Sequence, residues 1–245
     1  MTRKQYFSSG LKDGMPICFG YFAVSFAFGI QAAGIGLSVF EASVLSALNV
    51  TSAGQFAALA IIASGASLIE LAFTQLIINL RYFLMSCALS QKLSPSLPLG
   101  HRLGIAYGMT DEIFAVSVIQ REPLSPFYSY GLIAVAIPGW VLGTALGAAA
   151  GNILPTVLTN ALGIAIYGMF IAIILPPAKE NRVVAGVVVL SMVLSALFTY
   201  LPVLCNISSG FRIIVITLIT AGGAALLFPI PDEPAEPEKE MPHEG

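Results

Sequence analysis

Eight stretches of the chain stay apolar for about the length that crosses a bilayer, and this repetition restricts the fold more than any motif does. They run approximately over 15–35, 42–63, 68–90, 103–120, 128–151, 157–175, 183–204 and 211–230. Some twenty helical residues span roughly 30 Å of hydrocarbon. Only 10% of the residues are charged and 57% are hydrophobic, whereas roughly a quarter of a soluble domain is charged. Lipid offers no partner to backbone N–H and C=O groups, so runs this evenly apolar are expected to be helices; the strands of a membrane barrel would alternate. The expected fold class is all-α, a polytopic membrane protein with about eight hydrophobic helical segments and six to eight crossings.

Arg3, Lys4 and Lys12 precede the first run, as in a secretory signal, but the stretch from Met15 to Ile35 is too long for a signal core and seven more follow. It is read as a retained first helix. Residues 1–230 are expected to form one transmembrane domain, with halves at 14–121 and 127–230. Residues 231–245 carry six acids, four prolines and one lysine, a composition that cannot bury enough apolar surface to fold and is read as a disordered acidic tail. Cys18, Cys87 and Cys205 sit inside apolar stretches without paired spacing, so neither a disulfide framework nor a metal site is expected.

Basic residues gather in cytoplasmic loops, which places Arg3, Lys4 and Lys12 inside. If all eight segments cross, Lys92 and Arg102 fall outside and break that rule. If segments two and six enter and return on one side, Lys92, Arg102, Lys179 and Arg182 all become cytoplasmic, leaving Arg121 and the segment-edge Arg212 as exceptions. A shift of 114 places also aligns Ala47, Leu48, Gly54, Phe56 and Ala58 with Ala161, Leu162, Gly168, Phe170 and Ala172. This is the pattern of an inverted repeat with interrupted helices meeting near the midplane. Eight plain crossings remain the alternative.

Nucleotide-binding loops, metalloprotease motifs and nucleophile elbows are all missing, and the two histidines, His101 and His243, lie in a loop and in the tail. No catalytic residue, metal or cofactor is expected, nor any nucleic-acid partner. What remains is polarity at membrane depth, which is costly and therefore marks function. Asn49 to Gln55 places two amides and two hydroxyls in the middle of segment two, with Gly54 able to support an unwound stretch. Asn79, Arg81 and Tyr82 follow in segment three; Arg81 stands eleven residues past Glu70, about 16 Å along a helix and too deep to snorkel. Arg81 therefore needs an anion. Thr110, Asp111 and Glu112, about halfway along segment four, offer it; a purely structural ion pair is the bland reading. Gly139, Gly143, Gly147 and Gly151 form a smooth face on segment five where another helix, internal or from a partner subunit, should pack closely. Pro138 and Trp140 beside it lead to the expectation of a kink.

Taken in order, Gly14-Met15-Pro16, Gly20-Tyr21, Phe28-Gly29, Gln55-Phe56, Asn79-Leu80-Arg81-Tyr82 and Thr110-Asp111-Glu112 make residues 10 to 120 resemble the AzlC family of branched-chain amino acid permeases. From residue 127 onward only the hydrophobic layout agrees. The resemblance implies an exporter in the bacterial cytoplasmic (inner) membrane that works with a small AzlD-type membrane subunit. One departure concerns the substrate: the family usually reads Ala-Gly-Ala-Ser-Gln-Phe where this chain has Thr51-Ser52-Ala53-Gly54-Gln55-Phe56.

An amino acid zwitterion needs a donor for its carboxylate, an acceptor for its ammonium group and an apolar pocket. The substrate-binding residues expected are Ser52, Gly54, Gln55, Asn79, Arg81, Tyr82, Asp111 and Glu112, with Phe26, Phe28 and Phe56 walling the pocket. Desolvation penalises an ionised carboxyl group, so Asp111 and Glu112 are also the expected proton carriers. A channel for another small solute would need a continuous polar lining; a non-transporting assembly subunit would tolerate neutral residues at 81, 111 and 112. An intramembrane enzyme is disfavoured by the missing nucleophile and base.

Overall fold

The computed structural model describes residues 2–120, 123–151, 153, 171, 174–201, 204 and 207–229. These are helical with short connections: α1 (Arg3–Gly34), α2 (Val39–Leu48), α3 (Ser52–Ala63), α4 (Leu68–Gln91), α5 (Leu99–Tyr107), α6 (Asp111–Val118), α7 (Pro126–Gly151), α8 (Arg182–Tyr200) and α9 (Ser209–Thr217). A π turn (Leu218–Gly222) joins α9 to α10 (Gly223–Leu227). Among the described residues, α1, α4, α7, α8 and the stretch Gly210–Leu227 are long and apolar enough to cross a membrane. Segment six and the tail fall largely or wholly outside the described residues, and with them the repeat at a shift of 114.

The scaffold is the pair α1 and α7. A Cβ added to Gly131 would strike the Phe7 carbonyl oxygen, one on Gly143 would meet Phe22 O at 2.5 Å, one on Gly147 would meet the Phe26 carbonyl carbon at 2.7 Å, and one on Gly151 would meet Ile30 Cα at 3.2 Å. From α1, Gly10 and Gly29 press in the same way on Tyr128 and Thr144. Small residues on both helices thus bring the two backbones into contact, the arrangement that supports helix association in lipid. The helix that fills the Gly139-to-Gly151 face is therefore α1 of the same chain. Contacts pair residue i of α1 with residue i + 121 of α7 (Gly10 with Gly131, Cys18 with Gly139, Phe26 with Gly147), so the helices run parallel. Helix α7 continues through Pro138.

Segments two and four are each broken in the middle. Helix α2 ends at Leu48 and α3 starts at Ser52; Gln55 Nε2 donates back to Ser46 Oγ at 2.8 Å. Ala42 and Leu59 meet in one cluster with Phe28, Ala32 and Ala148. The two helices form a hairpin that enters and leaves at the end where α1 stops and α4 starts. Gly36 and Gly65, with φ of +90° and +66°, make the turns there that a side chain would strain.

Helices α5 and α6 form a second hairpin from the other end. Lys92, capping α4, donates to the carbonyls of Val118 and Gln120 at the end of α6, and Leu124 N–H donates to Lys92 O at 2.8 Å. Beside them His101 of α5 meets the Tyr130 hydroxyl at 2.7 Å, and Arg102 Nη2 donates to Ser94 O at 2.9 Å. Segment four is therefore not one helix with Asp111 halfway along it. It turns back at Gly108–Thr110, and Asp111 opens the returning helix.

Helix α9 begins against α4, where Glu70 Oε1 accepts from Gly210 N–H at 2.8 Å. Antiparallel to it, α8 lines one cleft with its first half and residues 219–228, and another with its second half and residues 213–220. Arg3, Lys12, Lys92, Arg102 and Arg182 therefore share one end of the molecule.

Candidate functional site

The two hairpin tips meet in the middle of the molecule. The Tyr107 hydroxyl, at the tip of α5–α6, donates to the Ala47 carbonyl near the tip of α2–α3. Both returning helices start there with a threonine cap: Thr51 Oγ1 accepts from Gly54 N–H and Thr110 Oγ1 from Ile113 N–H, each at 3.3 Å. Each break therefore leaves a helix N-terminus, with its partial positive charge and unpaired first N–H groups, facing the centre.

A cavity of about 530 Å³ lies where the tips meet, within the range of small-molecule sites. Its polar wall is Ser52, Arg81, Tyr82, Thr110, Asp111 and Glu112, and its apolar wall includes Pro16, Ile17, Val24, Val50 and Trp140. Arg81 Nη1 stands 2.9 Å from Asp111 Oδ2, the anion that its depth demanded. The same guanidinium lies 4.8 Å from the centre of the Tyr82 ring and donates to its hydroxyl at 3.0 Å. Glu112 faces α1, where the Tyr21 hydroxyl lies 2.6 Å from Glu112 Oε2 and 2.6 Å from Thr110 Oγ1.

Five of the eight residues expected at a binding site thus line one cavity: Ser52, Arg81, Tyr82, Asp111 and Glu112. The other three stand behind its wall. Gln55 is fully buried, accepting from Trp140 Nε1 at 2.7 Å and donating to Ser46, which in turn bonds Thr144 at 2.6 Å. The Gly54 carbonyl accepts from Gln75 Nε2 at 2.8 Å, and Gln75 Oε1 receives both Asn49 and Asn79 at 3.2 Å. These amides hold the outer hairpin tip against α4. Phe28 and Phe56 pack edge-to-face on each other, 5.4 Å between centres, in a core apart from the cavity, and Phe26 stacks on Phe22.

Sequence reasoning missed Tyr21 and Trp140 as wall residues. Trp140 crosses edge-on to Tyr21 at 5.3 Å and so carries the Gln55 network to the cavity. Tyr21 stands out only within the Gly20-Tyr21 pair and Trp140 only beside Pro138, and neither pattern points to a cavity, because a single aromatic in an apolar run reads as core.

The family model described as AzlC protein matches residues 16–154. The chain belongs to the AzlC family. Among its relatives, this AzlC-family protein is 35% identical over 189 residues to an uncharacterized membrane protein of Archaeoglobus fulgidus, an overlap of 76% of this chain and 83% of the relative. It is 31% identical over 184 residues to the inner membrane protein YgaZ of Escherichia coli K12, covering 72% and 75% respectively. No solved structure matches it. The family match ends at residue 154 and takes in every residue of the cavity wall except Ile174. Family and fold together make this a multi-pass membrane protein with a transport-related role.

Proposed function

We propose that this protein is a secondary transporter that exports branched-chain amino acids by proton coupling, acting with a small AzlD-type subunit in the bacterial cytoplasmic membrane. One observation carries the reading: the central cavity presents opposite charges beside an apolar wall. The α3 N-terminus and Arg81 suit a carboxylate. Asp111, on the polar wall, suits an ammonium group, and Glu112, the second carboxyl of that wall, suits proton carriage. Ile17, Val24, Val50 and Trp140 suit a branched aliphatic side chain. Two half-membrane hairpins meeting at the site match the plan by which transporters build central sites from interrupted helices. The naming of one relative as an inner membrane protein supports the location.

The test is efflux of labelled valine, leucine and isoleucine from preloaded cells, with and without this chain and its small partner. Faster efflux of at least one is expected. Unchanged efflux of all three, with the protein verified in the membrane, overturns the proposal.

A further inference from the structure

The two carboxylates of the cavity are held so differently that one role for both does not fit. We infer that Glu112, seated on Tyr21, carries the coupled proton, and that Asp111 instead keeps Arg81 occupied until the substrate parts them. The inference rests on the transport reading and divides its machinery.

Tyr21 has one hydroxyl proton and two oxygen neighbours, Glu112 Oε2 and Thr110 Oγ1, each at 2.6 Å. With Glu112 ionised, the phenol donates to the carboxylate and the Thr110 hydroxyl donates to the phenol. With Glu112 protonated, the carboxyl donates to the phenol and the phenol turns its proton to Thr110, whose oxygen also accepts Ile113 N–H. Both states give each of the three oxygens a hydrogen-bond partner within the relay with no heavy atom displaced. Uptake transfers one proton from water to Oε2 and removes one negative charge; release to water on the other side restores it.

Asp111 lacks this freedom. Its protonation would leave the Arg81 guanidinium, 2.9 Å away, without its counter-charge. A zwitterion can replace both partners at once, its carboxylate meeting Arg81 and its ammonium meeting Asp111. Among the described residues, Arg81–Asp111 is the ion pair present, and Glu112 is in none. The titratable groups around Glu112 are Tyr21 from α1, Arg81 and Tyr82 from α4 and Asp111 from α6; α3 and α7 contribute Ser52 and Trp140, which do not titrate.

The experiment compares two modes of leucine movement in cells expressing the full chain: exchange of internal for external leucine without a pH gradient, and net efflux driven by one. Glu112→Gln should lower net efflux at least tenfold and abolish its pH dependence, a loss at least fivefold larger than any it causes in exchange. Asp111→Asn should lose both modes. Tyr21→Phe should move the pH midpoint of net efflux, which loss of a merely structural contact would not do. Should Glu112→Gln fail to reach the membrane, Glu112→Asp serves, with retained coupling at a displaced pH midpoint expected. Proton-driven efflux surviving in Glu112→Gln, exchange surviving in Asp111→Asn, or an unmoved midpoint in both Tyr21→Phe and Glu112→Asp overturns the division of roles. A parent protein that moves no branched-chain amino acid in either mode overturns the transport reading instead.

Discussion

The indole N–H of Trp140 donates to Gln55 Oε1 at 2.7 Å, tying the middle of α7 to the first turn of α3. Gln55 is wholly buried and its other amide end is spent on Ser46. Gln55→Ala would leave the indole donor without its partner and Ser46 with Thr144 alone, at about 1–3 kcal/mol for an orphaned buried group. The expected outcome is a lower melting temperature in detergent, with the apparent substrate affinity of the surviving protein changed less than twofold. A large loss of affinity with unchanged melting would place Gln55 at the substrate.

The α1–α7 contact leaves no room for a methyl group. Gly143→Ala would drive its Cβ to within 2.5 Å of Phe22 O, and overpacking typically costs about 1–3 kcal/mol. Gly186 on α8 has nothing within 4 Å of its Cβ position, and alanine is favoured over glycine in a helix by about 0.5–1 kcal/mol. Thermal unfolding should show Gly143→Ala less stable than the parent and Gly186→Ala equal or more stable.

The depth of Arg81 along its helix predicts a buried pair with Asp111. In the structure their side chains keep 43% and 47% of their accessibility by opening onto the cavity. The buried-pair cost of roughly 3–5 kcal/mol must then be discounted towards the 0.2–1 kcal/mol or so of an exposed pair. Arg81→Gln and Asp111→Asn should therefore both extract from membranes as folded protein, at no less than about half the parent yield, while amino acid efflux falls at least tenfold. Collapse of folded yield in either variant, recovered in the double variant, would return the pair to a structural role.

Hairpins and crossings differ in which loops share a side. In a background lacking Cys18, Cys87 and Cys205, single cysteines at Ser38 and Ser64 should both react with an impermeant reagent added outside. Cysteines at Ser94 and Lys179 should both stay protected. Eight plain crossings require Ser38 and Ser64 to lie on opposite sides, so labelling of one but not the other excludes the α2–α3 hairpin.

The sequence by itself determined the solvent, the helical class and the depth of the polar residues. Runs of about twenty apolar residues admit little else in lipid, and a charge such as Arg81 at that depth must find a partner. The four-residue spacing of glycines on α7 likewise announced a close helix contact. Hydropathy, however, counts residues without reporting whether the chain goes on or turns back. Helices α2 and α3 have 10 and 12 residues, and α5 and α6 have 9 and 8, so each hairpin occupies the length of one crossing. Nor does any local pattern connect Tyr21 to Glu112, 91 positions away, or Trp140 to Gln55, 85 positions away. Those pairings follow from the parallel packing of α1 and α7 and from the two hairpin tips that this pair holds at one level. Only the tertiary structure decides them, because a hydrogen bond forms between neighbours in space, and membrane helices become neighbours through the fit of their surfaces.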